Sequence, residues 1–276
     1  MKTKQKEWLF NIIGVLVTAG FLFPVYWMIA TAFKSEAELF KTPPLLWPET
    51  FRTAGFEAVF TSGIAGYFLN SLLISGAAAA IVLILAVPSA YGLARFRIKG
   101  KKMFILLFLI TQMLPATVVL TPLFIAFNQL NILNTYIGPI LTGATLGVPF
   151  SVLMLRTFFL GIPKDLEDAA KIDGCSRFTA FIRIILPISV PGIAVSGAVS
   201  FFFTWGDLIY SMTFNRNQEL WPLTAGIYNV ISQYGIQWND LMAFAVLSVL
   251  PVMPVIIIFI LLQKQLVKGL ISGSIK

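Results

Sequence analysis

Few side chains in this sequence are equipped for covalent chemistry. There is no histidine and a single cysteine, Cys175. That removes histidine metal sites, histidine-dependent nucleophilic triads and histidine proton relays, and it leaves no disulfide or cysteine cluster within the chain. A phosphate-cradling loop needs Gly, four residues, then Gly-Lys-Ser/Thr. The nearest fragment is Gly100-Lys101, but Lys102 follows where a hydroxyl is required, and Arg95 stands in place of the first glycine. The chain therefore lacks the loop that would let it hydrolyse ATP itself. One acid lies at the end of an apolar run, Asp207 in Trp205-Gly206-Asp207. An ionisable group at membrane depth is a functional candidate, although one near a span's end can simply reach interfacial water.

A second constellation is denser. The stretch from Gly161 to Phe178 holds Asp165, Glu167, Asp168 and Asp173, four of the chain's twelve acidic residues. Pro163 suits a first helical turn, and the first three of those acids suit its positive N-terminal end. Leu166, Ala169, Ala170 and Asp173 recur at three- and four-residue spacing and so share one helical face. Gly174 supplies a stop and Ser176 a cap for a second helix, Ser176–Arg183, that runs into Ile184-Ile185-Leu186-Pro187. The spacing predicts a short helix, a glycine corner and another short helix. Two alanines leave the first helix a nearly bare face that suits docking into a groove. An interfacial helix with an ordinary cap would give the same pattern.

The rest of the chain says where this elbow sits. Apolar residues make up 58% of the 276, charged residues 12%, and the mean hydropathy is +0.86. That is too little polar surface for a water-soluble particle, whose charged share is about 25%. A membrane helix needs about 20 mostly apolar residues. The charge-free windows, with a polar turn at Asn128–Asn134 dividing the longest of them, predict six spans near 9–32, 67–94, 103–126, 136–158, 184–208 and 240–262. The first follows Lys2, Lys4 and Lys6 but is too long for a signal peptide's apolar region, so it reads as a retained helix. Lys and Arg cluster at the N-terminus, in the second-to-third and fourth-to-fifth connections, and in the tail. Only Lys34, Lys41, Arg52 and Arg216 fall on the other side. The bias predicts that both termini and the elbow are cytoplasmic. It also accounts for the net charge of +8 without nucleic acid.

The elbow's residues carry a resemblance. Asp168-Ala169-Ala170, then Gly174, then Leu186-Pro187 resembles the EAA motif of ABC importer permeases, with Asp168 in place of the motif's Glu and Glu167 beside it. Similar segments cover nearly the whole chain: Pro24, Trp27 and Lys34; Asn70-Ser71; Ala90-Tyr91-Gly92-Leu93-Ala94-Arg95; Leu133-Asn134-Thr135; and Gln263 to Gly273. They resemble the smaller, second permease of maltose-type, binding-protein-dependent sugar importers. The resemblance implies an all-α, polytopic membrane protein with the type I ABC importer permease fold, a single permease domain over 1–276 in a bacterial or archaeal plasma membrane. It implies a coupling loop at 161–187 that meets the ATPase through Glu167, Asp168, Ala169, Ala170, Asp173, Gly174, Arg177, Phe178, Leu186 and Pro187. It also implies a cytoplasmic tail, 263–276, whose Gln263, Gly269 and Leu270 reach toward the ATPase dimer.

The partners implied are a second, homologous permease, two ATPase subunits that bind ATP and Mg, and an extracytoplasmic sugar-binding protein. The chain itself would be non-catalytic, with no cofactor or metal of its own. Between the last two spans, Tyr210–Asn239 resembles in position a loop that probes the binding protein, with Gln233, Tyr234 and Gly235 the part to test. Aromatic belt residues in an ordinary interfacial loop would look alike. Trp205 and Asp207 are candidates for the translocation path. A secondary transporter would instead bury ionisable groups for ion coupling, and these spans are almost free of charge. An ABC permease for a non-sugar solute is the nearer alternative.

Overall fold

The computed structural model describes residues 2–229, 231–232, 235–249, 253, 257 and 260. In chain order the helices are α1 (Lys2–Ala32), α2 (Glu36–Leu39), α3 (Ala54–Thr61), α4 (Ile64–Arg95), α5 (Lys101–Met113), α6 (Ala116–Gln129), α7 (Ile137–Gly161) and α8 (Asp165–Ile172). They continue as α9 (Arg177–Ala180), a π-helical turn (Phe181–Ile185), α10 (Leu186–Trp205), α11 (Ile209–Phe214), α12 (Leu223–Gly226) and α13 (Trp238–Val249). Among the described residues, strand pairing is limited to a two-residue antiparallel pair, Ile231–Ser232 with Gly235–Ile236.

Among the described residues, four helical stretches are long and apolar enough to cross a membrane: Glu7–Ala32, Ile64–Arg95, Ile137–Gly161 and Arg177–Trp205. They correspond to the first, second, fourth and fifth expected spans. The third differs. Instead of one helix over 103–126, α5 and α6 meet at a 100° bend. The cause is local. Pro115 disfavours helical backbone at the residue before it, and Leu114 is extended at φ −74°, ψ 125°. Pro24, Pro88, Pro122, Pro149 and Pro191 remain inside helices, which membrane helices tolerate when neighbours re-satisfy the freed backbone groups. Of the sixth span, α13 is described, together with helical backbone at 253, 257 and 260. The rest of it, and the tail residues Gln263, Gly269 and Leu270, lie outside the described residues.

The chain divides into two compact units. In the first, α1 and α3 pack on α13, and a polar knot closes the segment after α1. Lys34 is 2% exposed. Its ammonium sits 4.3 Å from the centre of the Trp27 ring and donates to the Leu45 carbonyl at 2.5 Å. This explains why Trp27 and Lys34 belong together two turns apart. The Glu38 carboxylate accepts from the backbone N–H groups of Ser35 (2.8 Å), Glu49 (3.2 Å) and Thr50 (3.3 Å). The Ser35 N–H above all holds this carboxyl below its usual range, against the opposing effect of burial. A depressed carboxyl pKa stabilises the fold above the group's ordinary value, and that stabilisation is lost as pH falls through the depressed one. The 33–52 segment should therefore loosen on acidification, read as a change in Trp47 fluorescence. Glu38→Gln should flatten that pH dependence.

The second unit, centred on 67–225, is built on α4, α7 and α10. Its main core includes Val82, Ala86, Ala90, Tyr91, Val152, Leu155, Phe159, Phe181 and Ile185. Small residues let the helices approach. A Cβ added at Gly143 would lie 2.6 Å from Thr204 Oγ1 and 2.8 Å from its Cγ2, and one at Gly147 would lie 2.8 Å from Val82 Cγ2. Gly143 and Gly147 are four apart, so they present one flat face, the small-residue packing of membrane helices. Thr204 cannot easily yield, because its hydroxyl donates to the Ser200 carbonyl at 3.1 Å. Gly143→Ala should cost about 1–3 kcal/mol by overpacking, seen as a lower unfolding midpoint of the purified chain, while a change at exposed Gly161, with nothing within 4 Å of its Cβ position, should not.

Candidate functional site

The elbow forms by the local rules that its sequence carries. α8 ends in a motif that satisfies its last carbonyls: Gly174 N–H donates to Lys171 O at 3.0 Å and Cys175 N–H to Ala170 O at 2.9 Å. That pairing requires left-handed backbone at the intervening residue, and Gly174 has φ +82°. Ser176 then caps the next helix, accepting from Thr179 N–H at 3.1 Å. The chain continues through the π-helical turn at Phe181–Ile185, where Leu186 N–H reaches back to Phe181 O. Pro187, which has no N–H to give, follows directly, and a π turn is one way a helix absorbs such an interruption.

Longer-range contacts seat the elbow. The Arg95 Nε, at the end of α4, pairs with Glu167 Oε1 at 2.6 Å, with side chains only 4% and 13% exposed. Arg95 also donates to the Ile162 carbonyl at 2.7 Å. The Tyr91 hydroxyl donates to Glu167 Oε2 at 3.1 Å, and the Tyr91 ring lies 4.4 Å from that of Phe181. One buried carboxylate thus ties the loop helix to the last turn of α4, while Phe181 and Ile185 anchor the second arm in the core. The two segments that most resemble the permease family, 90–95 and 165–174, are the halves of a single contact. Sequence reading missed this pairing. The only signal was an Arg at a span end and an acid in the loop, far apart in the chain.

The structure redistributes the expected docking residues. Ala170 is 2% exposed and faces the body with Glu167, so neither shares the outer face with Leu166, Ala169 and Asp173, which are exposed. The reason is rotation. Glu167 and Ala170 lie three apart on one side of α8, and pairing with Arg95 turns that side inward. Outside remain Leu166 at 39%, Ile172 at 87% and Phe178 at 74% exposure. Asp168 is exposed and bonded to Lys171 at 2.6 Å. That hydrogen bond, and then the lysine's charge, hold its carboxyl below the usual carboxylate range, so the outer rim keeps its negative charge. The Arg177 guanidinium lies over the Phe96 ring at 5.9 Å. Pro187 is exposed and Leu186 half-buried.

The other candidates fare differently. Asp207, just before the N-cap residue Leu208, accepts from Tyr210 N–H (3.3 Å), Ser211 N–H (2.9 Å) and Ser211 Oγ (2.8 Å) and so satisfies amides in the first turn of α11. Trp205 is 8% exposed and stacks on Phe201 at 5.3 Å. Asp207 lines a cavity of about 360 Å³, with Thr142, Thr204 and Tyr210, whose walls are mostly apolar. Asp207→Ala should cost about 1 kcal/mol, as cap losses do, while Asp207→Asn should keep the cap; thermal unfolding distinguishes the two. Gln233 and Tyr234 lie outside the described residues, and Gly235 belongs to the short strand pair. Asn70 and Ser71 have a structural role. Asn70 donates to Glu219 O (2.7 Å) and Trp221 O (2.9 Å), and Ser71 Oγ accepts from Leu223 N–H at 2.8 Å.

Over residues 83–272 the sequence matches the family described as "Binding-protein-dependent transport system inner membrane component". The chain belongs to this family. It is 35% identical over 98% of its length, and 87% of the other, to the "Probable ABC transporter permease protein YurM" of Bacillus subtilis. It is 33% identical to the diacetylchitobiose uptake system permease protein DasC of Streptomyces coelicolor, with 96% of each chain covered. Identity is also 33% to the sulfoquinovosyl glycerol transport system permease protein SmoH of Agrobacterium fabrum, covering 97% of this chain and 93% of that one. The fold superposes with a TM-score of 0.76, at 20% identity over 94% of this chain and 97% of the other, on a chain of a bacterial ABC transporter that imports alginate. The family match takes in the whole elbow, from the Arg95 end of α4 through Pro187. As a binding-protein-dependent permease, the chain is an all-α inner-membrane component whose business is transport.

Proposed function

We propose that this permease carries an oligosaccharide or other glycoside inward, together with a second, homologous permease, and that separate ATPase subunits drive it through the elbow at 161–187. The observation that carries the reading is the seating of that elbow. It is clamped from behind by Arg95, Tyr91 and the core, yet it presents Leu166, Ala169, Ile172 and Asp173 outward, outside any span, with Phe178 exposed at the start of the Arg177–Trp205 helix. A lever must be stiff toward the part that it moves and open toward the part that moves it, and the elbow has both properties. In this reading it lies in the cytoplasm with both termini, as the Lys/Arg bias supports.

ATP and Mg would be held by two partner ATPase subunits, and an extracytoplasmic sugar-binding protein would deliver the solute. Closure of the ATPase pair would push on α8. The Arg95–Glu167 pair would pass that push to α4, and the continuous Arg177–Trp205 helix would pass it to the fifth span, reopening the path outward. The substrate class is supported by the relatives, whose names specify diacetylchitobiose and sulfoquinovosyl glycerol. The test is ATP hydrolysis by the reconstituted complex across a panel of mono- and oligosaccharides. Stimulation by one sugar class with its binding protein is expected. Solute uptake by this chain without any ATPase would overturn the proposal, and stimulation only by non-sugar solutes would overturn the substrate class.

A further inference from the structure

Around the start of α5 and the end of α7, positive charge exceeds what the neighbouring acids neutralise. Lys101 opens α5, α5 packs along α7, and Lys101 lies within electrostatic reach of Arg156 on α7 and of Lys164 just beyond it. Among the described residues, none of these three cations enters an ion pair. Two of the loop acids are already engaged, Glu167 by Arg95 and Tyr91, Asp168 by Lys171, which leaves exposed Asp165 beside Lys164 against three cations. The Nε of Arg156 is shielded from solvent and has no hydrogen-bond partner among the described residues. A guanidinium nitrogen removed from water without an acceptor is costly, and the like charge of Lys101 nearby raises the cost.

We infer that Lys101, Arg156 and Lys164 hold the phosphate of an anionic membrane lipid. An anion there would supply the acceptor that Arg156 lacks and neutralise the cluster, and Arg is well suited to phosphate recognition. The first residues of α5 favour an anion as well, because a helix N-terminus is positive and this one carries no acid in its first turn. What separates a lipid from a soluble phosphate is the surface immediately beyond. Phe104 and Leu107 follow Lys101 at three-residue steps along one ridge of the same helix and are 49% and 45% exposed. They carry apolar surface from the cluster along the span, the arrangement expected of a headgroup site with acyl chains beside it. A soluble anion would leave that surface unused.

The test uses the purified full-length chain in detergent, titrated with phosphatidylglycerol, with phosphatidylcholine of the same acyl chains, and with inorganic phosphate. Native mass spectrometry and thermal unfolding report binding. Phosphatidylglycerol should bind and raise the unfolding midpoint, more weakly as salt is added, and phosphatidylcholine should not. Arg156→Gln and Lys164→Gln should each weaken phosphatidylglycerol binding roughly fivefold, the share of one basic side chain near an anionic headgroup. Arg216→Gln, a cation in a different connection, should leave it unchanged. If Arg156→Gln fails to fold, Lys164→Gln and Lys101→Gln carry the comparison, since both positions retain solvent contact. Equal binding of phosphatidylcholine, or unaltered affinity in the variants, would overturn the assignment. So would equal stabilisation by inorganic phosphate, or loss of ATPase capture in the variants with lipid affinity unchanged.

Discussion

Glu167→Ala is expected to unseat α8 and to abolish most transport. Arg95 is 4% exposed at its side chain, so removing its partner strands a shielded guanidinium, and breaking a buried pair this way costs on the order of 3–5 kcal/mol. The Tyr91 hydroxyl loses its acceptor at the same time. Surface ion pairs contribute far less, up to about 1 kcal/mol, so the size of the effect distinguishes the two environments. Thermal unfolding of the purified chain should show the loss, and uptake in cells should fall with it. Glu167→Gln keeps an oxygen for Tyr91 and should be milder. The combined Arg95→Met and Glu167→Met variant should be more stable than either single change, because no charge is left unpaired. If Glu167→Ala unfolds and transports like the parent chain, the clamp is not what seats the elbow.

Gly174→Val is expected to separate coupling from folding. The glycine sits at φ +82°, a region that costs a residue with a Cβ roughly 1–2 kcal/mol, and more for a β-branched one. Among the described residues, its chain neighbours aside, nothing lies within 4 Å of where that Cβ would point. The penalty is therefore backbone strain at the corner, without a clash, and it should fall on the angle between α8 and α9. Glu167 holds one arm to α4 and Phe181 and Ile185 hold the other in the core, so the fold should survive with a modestly lower midpoint. Retention of the ATPase subunits on affinity purification, and uptake, should drop by roughly the 5–30-fold that one or two kcal/mol represents. Gly174→Asn should do less, since Asn visits left-handed backbone more readily. Parental uptake together with parental ATPase retention in Gly174→Val would count decisively against a coupling role for the corner.

The difference between these two positions shows where sequence reading reached and where it stopped. The corner at Gly174, the cap at Ser176 and the acid-rich start of α8 were legible because they depend on neighbours a few residues away, and their geometry came out as expected. The inward turn of Glu167 and Ala170 was not legible. Helical spacing says which residues share a face, but the face that turns inward is chosen by a partner that lies 72 positions earlier, Arg95. The same holds for Asp207, whose bonds to Tyr210 and Ser211 and whose place in a cavity wall only the tertiary structure brings out.

Proline divides along the same line. Among the described residues, Pro24, Pro88, Pro122, Pro149 and Pro191 stay well inside helices while Pro115 breaks one, though all lie in apolar runs of similar composition. Composition alone determined that the chain is a multi-span membrane protein, because solvation in a bilayer acts on every residue and needs no detail of packing. Only the tertiary structure decided which side of each helix faces its neighbours. In spans that are apolar all round no hydrophobic stripe marks that side, and the choice falls to steric fit at Gly143 and Gly147 and to a few buried polar contacts, Arg95 with Glu167 foremost.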